Sequence, residues 1–210
     1  MYTIKSCEIY WHIVGKCKTL ATCVNAWTER INVTNDQHFW KAVFCLPNNC
    51  INDFKVNELR TKIIHRFYPC QSLVSKWDES TSNICNLCNE EVANITHTFF
   101  DCIRLNDFWQ KVEEWFKKIS PDYNVILNCE NVLLGIIPYT FKSHSLNHCV
   151  MYCKLFIHRE RLNTCEPNFK TFLNFYKHVL DIEKDLYTIR NAKNIFDKSF
   201  GTMYNDCKNP

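Results

Sequence analysis

Three glycines in 210 residues constrain this chain more than any other single feature. Glycine enters turns with φ > 0 and helix C-caps at no steric cost, and it builds the loops that cradle phosphates. A chain that nearly lacks it has no Gly-rich nucleotide loop. Rossmann and P-loop readings are therefore disfavoured, and a mainly helical chain is expected. Hydrophobic residues at 46% and charged residues at 22% are globular proportions, which excludes wholesale disorder. The formal net charge is only +3 and no long run of like charge occurs, so a strongly basic tail is excluded. No apolar run approaches the ~18–20 residues of a membrane span. The segment from Met1 to Glu8 lacks the continuous apolar core of a signal peptide. The expectation is an intracellular protein of cytoplasm or nucleus, not secreted, with reduced thiols and no membrane partner.

Apolar spacing places the helices. Ser6 caps a short helix through Ile9, Tyr10, Ile13 and Val14, and a second carries Leu20, Val24, Trp27 and Ile31. Thr34 to Gln37 reads as a capping box, opening a helix with Phe39, Trp40, Val43 and Phe44 that ends before Pro47. Asp53 caps a helix from Phe54 to Tyr68 with a stripe of Val56, Leu59, Ile63 and Phe67. A short helix runs from Gln71 to Trp77. The clearest amphipathic pattern is Leu105, Phe108, Trp109, Val112, Trp115, Phe116 and Ile119, stopped by Pro121. Val125 to Ile137 is ambiguous between a short strand and a buried turn. A long helix starts at Ser143 or Ser145, and Asn168 caps a last helix from Phe169 to Ile189. The expected fold is mainly α, an irregular multi-helix domain. It comprises an N-terminal helical region over 1–79, a loop over 80–103 and a C-terminal helical region over 104–210, packed as one unit.

Fourteen cysteines admit two accounts, a disulfide framework or a reduced chain with metal ligands. Residues 78–103 are rich in Asp, Glu, Ser, Thr and Asn, lose helical periodicity, and need something other than burial to hold them. Within them Cys85 and Cys88 are followed by His97 and Cys102, a C-x2-C-x8-H-x4-C spacing. Two thiolates two residues apart can grip one ion from a single turn, and the returning chain can close a tetrahedron. Three Cys and one His suit a structural Zn2+ with no open coordination position. The competing reading leaves His97 and Cys102 simply packed among Phe99, Phe100 and Ile103. A second cluster, His144, His148, Cys149 and Cys153, falls on two adjacent helix faces and reads as buried thiols rather than a metal site. The remaining cysteines read the same way.

The order of these features resembles a known family. Ile9-Tyr10-Trp11, Trp27, Phe39-Trp40, the run from Leu59 to His65-Arg66, Lys76-Trp77, the Cys/His spacing and Phe108-Trp109 follow one another as in the C-terminal region of LINE-type (non-LTR) retrotransposon polyproteins. The central part is similar to their reverse transcriptase zinc-binding domain. Downstream, Leu133 to Ile136, Leu146 to His148, Lys154 to Ile157 with Arg161, Pro167 to Leu173, and Phe196 with Gly201 continue the similarity. In that family this region accompanies a polymerase domain and engages template RNA or target DNA. Polymerase chemistry needs paired Asp residues, and this chain has no Asp-Asp. The resemblance therefore implies a non-enzymatic module without the polymerase and endonuclease parts.

Two functions follow. One is a zinc-stabilised module binding RNA, or single-stranded or target DNA, through Arg60, Lys62, His65, Arg66, Lys76, Arg104, Lys111, Lys117 and Lys118 as phosphate contacts. The other is a structural or interaction remnant whose exposed aromatic surface self-associates. An enzyme is disfavoured, since neither a Gly-x-Ser-x-Gly elbow nor a His-Glu-x-x-His helix is present.

Overall fold

The computed structural model describes residues 22–50, 53–121, 126–137 and 141–208. The expected helix behind Ser6 lies outside them. The fold is mainly α, and no strand occurs among the described residues beyond an isolated bridge at Ile84 and Val92. The longer helices are α1 (Thr22–Ile31), α2 (Gln37–Cys50), α3 (Phe54–Ile64), α5 (Asn106–Ile119), α7 (Phe141–Leu162), α8 (Phe169–Ile189) and α9 (Lys193–Lys208). Short helices α4 (Gln71–Val74) and α6 (Cys129–Leu133) lie between them.

Helix α7 is the axis of the molecule. Its buried residues include Leu146, Cys149, Val150, Met151, Tyr152, Cys153, Phe156 and Ile157, which fall on every side of the helix. A helix that is apolar all round must be surrounded, and α2, α3, α8 and α9 pack against α7. The buried side chains form one continuous core. Helix α5 buries Phe108, Trp109, Val112, Trp115 and Phe116, the face its periodicity marks out. Phe108 stacks on Phe156 of α7 and meets Phe172 of α8 edge-on.

Caps follow side-chain chemistry. Asp53 accepts from the Lys55 N–H at 2.8 Å and Asn168 from the Thr171 N–H at 3.1 Å. The expected box at Thr34 shifts by two residues. Asp36 is the residue that accepts from the N–H of Phe39, because the helix begins at Gln37 and the carboxylate is the stronger acceptor.

Four other expectations change. Helix α2 does not stop before Pro47 but runs to Cys50. Pro47 has no N–H to give the Val43 carbonyl four residues back, and the Arg60 guanidinium supplies that hydrogen bond instead. Helix α3 ends at Ile64, and Arg66 takes a left-handed φ of 61°, which turns Phe67 out of the expected stripe to half exposure. The ambiguous stretch after Ile126 contains α6, capped by Asn128 on the Asn131 N–H. Finally, the chain does not end its helices at Ile189. Asn191 takes φ 54° and α9 folds back antiparallel on α8, as the pairs Tyr187–Phe196, Asp181–Tyr204 and Tyr176–Met203 show.

Among the described residues, Gly135 is the glycine whose backbone needs its freedom. It sits at φ 111°, and a Cβ there would strike Leu46. The buried backbone beside it is satisfied by Asn147 of α7, whose amide accepts from the Ile136 N–H at 2.7 Å and donates to the Ile136 carbonyl at 3.0 Å.

Candidate metal centre

The polar loop is held by its own turns before any ion is considered. Asp78 accepts from the Ser80 and Thr81 hydroxyls, both at 2.6 Å. The chain then pairs with itself. The Cys85 N–H donates to the Glu91 carbonyl at 2.7 Å and the Ala93 N–H to the Asn83 carbonyl at 2.9 Å. This ladder closes a tight turn over Cys85-Asn86-Leu87-Cys88, in which Asn89 takes the left-handed φ of 58° that Asn tolerates and most residues do not. Asn94 then accepts from the His97 N–H at 3.0 Å and from the Thr96 hydroxyl at 2.7 Å, starting the return.

That return is not a loop, as the lost periodicity suggests, but a single π-helical turn, His97–Asp101. The Cys102 N–H donates to the His97 carbonyl five residues back at 3.2 Å. A π-turn is rare and occurs mostly at functional sites. Here it keeps His97 and Cys102 on one side, while Phe99 packs into the core against Tyr68 with ring centroids 4.8 Å apart. The Trp109 indole anchors the turn by donating to the Phe99 carbonyl at 2.9 Å.

The outcome is that Cys85, Cys88, His97 and Cys102 converge. All four are buried, and their ligand atoms lie within 4.8 Å of one another. The Cys85 and Cys102 sulfurs are 3.8 Å apart, and the Cys88 sulfur is 3.4 Å from His97 Nε2. An ion bound tetrahedrally at about 2.3 Å to sulfur and about 2.0 Å to imidazole sets ligand–ligand edges of about 3.5–3.8 Å. The four residues can hold such an ion. Among the described residues no other group of three or more Cys, His, Asp or Glu side chains has this closeness.

The surroundings favour a thiolate at Cys85 and oppose one at Cys102. Burial alone would raise the Cys85 thiol. The Cys88 N–H, the Arg161 guanidinium and the Leu87 N–H outweigh it and bring the pKa down to about 6. Burial pushes Cys102 up to about 12, countered in part by the Arg104 N–H and reinforced by the neighbouring Cys85 and Cys88 sulfurs. Three thiolates around a divalent cation leave a net negative charge. Arg161 of α7 meets it, with Nη2 donating to Cys85 Sγ at 3.2 Å and to Asn86 Oδ1 at 3.3 Å. His97 gives its other nitrogen, Nδ1, to Glu91 at 3.1 Å, which leaves Nε2 pointing at the sulfurs. Glu91 has a sequence signal, since it sits inside the loop. Arg161 has none as a partner of this site, because it is 76 positions from Cys85.

The second cluster resolves as core. Cys149 and Cys153 are buried in α7, and His148 bonds through Nδ1 to the Tyr176 hydroxyl at 2.9 Å. Cys70, Cys129, Cys165 and Cys207 carry no disulfide.

The nine basic candidates separate into four kinds. Arg60 is only 3% exposed, with its guanidinium on the Val43 and Leu134 carbonyls, so it is a core residue and not a surface contact. Five face a carboxylate: Lys62 with Glu58 at 2.6 Å, Arg104 with Glu166 at 3.2 Å, Lys111 with Asp107 at 2.7 Å, Lys117 with Glu113 at 2.6 Å, and Lys118 with Asp206 at 2.7 Å. Their charge is matched locally, and such surface pairs contribute little. His65 is half-buried against Phe44 and Phe67, and burial and Arg60 lower its pKa, which disfavours its cationic form. Arg66 and Lys76 remain, and the fold brings both to one pocket beside residues 94–96 of the metal loop. Arg30, a cation with no sequence signal for this role, joins them there.

No helix of the described residues is long and apolar enough to cross a membrane. No protein-family model matches the chain, and no curated protein matches it.

Proposed function

We propose that this protein is a zinc-stabilised nucleic-acid-binding module, related to the reverse transcriptase zinc-binding region of LINE-type retrotransposons and lacking catalysis of its own. The observation that carries the reading is the shared wall. The loop closed by Cys85, Cys88, His97 and Cys102 also supplies Asn94, Ile95 and Thr96 to the pocket where Arg66 and Lys76 converge. An ion that fixes this loop therefore fixes a cationic surface. Sulfur-rich donors with one imidazole, in tetrahedral spacing, favour zinc over hard cations such as magnesium or calcium. Four protein ligands complete the coordination, so the ion's role is structural. Its binding free energy, on the order of 10–16 kcal/mol in isolated zinc-finger peptides, is available to hold this loop beyond what its own polar turns supply.

Native mass spectrometry of the purified chain and of a Cys85→Ser/Cys88→Ser variant tests the metal. One zinc in the parent and none in the variant is expected, and a metal-free parent overturns the zinc assignment. Electrophoretic titration against structured RNA and single-stranded DNA tests the binding. No shift at micromolar protein overturns the nucleic-acid reading.

A second reading, a self-associating interaction domain, rests on a groove of about 650 Å³ between α3, α7 and α8 whose rim exposes Leu162 and Ile182. Exposed apolar surface of this kind marks association sites. A clean monomer by size exclusion removes it.

A further inference from the structure

The pocket at Arg30, Arg66 and Lys76 has more structure than a basic patch. It is a concavity of about 210 Å³. Its three cations come from three separate segments: the last turn of α1, the residue that turns the chain out after α3, and the turn after α4. No Asp or Glu lines it. The remaining polar groups on its wall are Ser72, Asn94 and Thr96, short side chains with hydroxyl or amide groups. Like charges held together without a carboxylate repel one another, and an anion placed among them relieves that repulsion.

The two arginines are also positioned. Arg66 donates through Nη1 to the Ala26 carbonyl at 2.7 Å and lies over the Trp27 ring at 5.4 Å. Arg30 reaches the Thr96 hydroxyl through Nη2 at 3.4 Å. Each bond uses one donor of a five-donor guanidinium fork. Trp27 itself is fixed by donating its indole N–H to the Ile64 carbonyl at 2.7 Å.

Two aromatic side chains stand next to these cations in the chain, and both face solvent. Phe67, following Arg66, is 50% exposed, and Trp77, following Lys76, is 66% exposed. Cations with exposed aromatic rings beside them bind unpaired nucleotides, whose phosphates meet the cations and whose bases stack on the rings; here the two rings adjoin the cations in the chain and lie outside the pocket's own lining, within reach of the nucleotides next to a bound phosphate. A duplex keeps its bases stacked on one another and cannot use the rings.

We propose that Arg30, Arg66 and Lys76 form a phosphodiester pocket for single-stranded nucleic acid, with Phe67 and Trp77 as the platforms for the adjacent bases. This deepens the nucleic-acid reading above and rests on it. Both single-stranded RNA and single-stranded DNA carry the phosphodiester, so both serve as probes.

The test uses the full metal-loaded chain and fluorescence anisotropy with a labelled oligo-uridine, the matching oligo-thymidine and a hairpin duplex. Arg30→Gln and Lys76→Gln are each expected to weaken single-strand binding by about 3- to 10-fold and to lower the slope of log K against log salt by nearly one unit. Trp77→Ala is expected to weaken single-strand binding at least 5-fold and leave duplex binding unchanged. Lys170→Gln, at an exposed cation of α8 outside the pocket, is expected to change single-strand binding less than twofold. Circular dichroism melts that match the parent establish that each variant is folded. If the parent binds while Arg30→Gln and Lys76→Gln bind equally well, the pocket is overturned and the module reading stands. Equal loss of duplex and single-strand binding in Trp77→Ala overturns the platforms. A parent that binds neither oligonucleotide overturns the pocket and the module together.

Discussion

Arg161 and Cys85 are in contact, with the Arg161 guanidinium donating from Nη2 to the Cys85 sulfur at 3.2 Å, across 76 positions of sequence. Arg161 is 7% exposed and belongs to the last turn of α7, the helix around which the core is built. The candidate metal centre is thereby tied to the centre of the fold, not suspended on a surface loop. Asn86 strengthens the tie, donating to the Arg161 carbonyl at 3.3 Å while its own carbonyl oxygen accepts from Nη2.

Replacing Arg161 with Met should weaken metal affinity by about 10- to 100-fold, because the charge that offsets three thiolates is lost while the side-chain volume is kept. Competition with a chromophoric chelator measures it. An affinity within twofold of the parent would mean that backbone N–H groups alone stabilise the Cys85 thiolate.

Glu91→Gln should cost less than Arg161→Met, about threefold in affinity. Glu91 also orients a ligand, His97, but it is 70% exposed, where water replaces much of what a carboxylate does. The same chelator competition ranks the two variants, and the reverse order would show that imidazole orientation matters more than charge balance.

Chelation should open the molecule unevenly. Residues 78–103 are held by polar turns and the four ligand side chains, whereas α8 and α9 bury Phe172, Leu173, Tyr176, Phe196 and Phe200 against the core. Hydrogen exchange with mass spectrometry should show loss of protection in 78–103 on chelator addition, with α8 and α9 protected. Simultaneous loss everywhere would mean that the loop and core unfold as one unit.

Arg60→Met should destabilise the fold by about 3 kcal/mol, since two buried carbonyls, those of Val43 and Leu134, lose their donor. Single-strand binding per folded molecule should be unchanged, because Arg60 does not reach the surface. Denaturant melts and anisotropy on the same preparation check the two halves.

Acid should destabilise the chain partly through His144. Burial, with His148 adding to it and Glu183 opposing it, lowers its pKa from 6.5 to about 4. Its ring lies on Phe200 at 5.4 Å. Between those two pH values the unfolded chain binds a proton that the folded chain refuses. The stability His144 contributes is complete above 6.5 and is lost as pH falls toward 4. After discounting for partial exposure the loss is about 2 kcal/mol. His144→Phe should flatten the stability profile across that window. Metal release is common to parent and variant and cancels in the difference.

The convergence of Cys85, Cys88, His97 and Cys102 was readable in the sequence because their chemistry and spacing are both local: two thiols share one turn, and a short return brings the other two. The amphipathic face of α5 and the caps at Asp53 and Asn168 were readable for the same reason. Helix α9 was missed although Phe196, Phe200, Met203 and Tyr204 carry helical spacing, because its charged flanks run on from those of α8.

Surface chemistry was not readable in that way. Arg60 and Arg66 are six positions apart in one basic stretch, yet one is a core donor and the other lines a pocket. Local sequence specified that both are cations on or just after a helix. The difference arises from what packs around them. Arg60 faces the backbone of α2 where Pro47 withholds an N–H, and Arg66 is turned outward by a left-handed φ onto Trp27. Residue type and spacing set which atoms are able to coordinate, cap or bury. Which charge is neutralised, buried or left facing solvent depends on partners tens of residues away, and only packing brings those together.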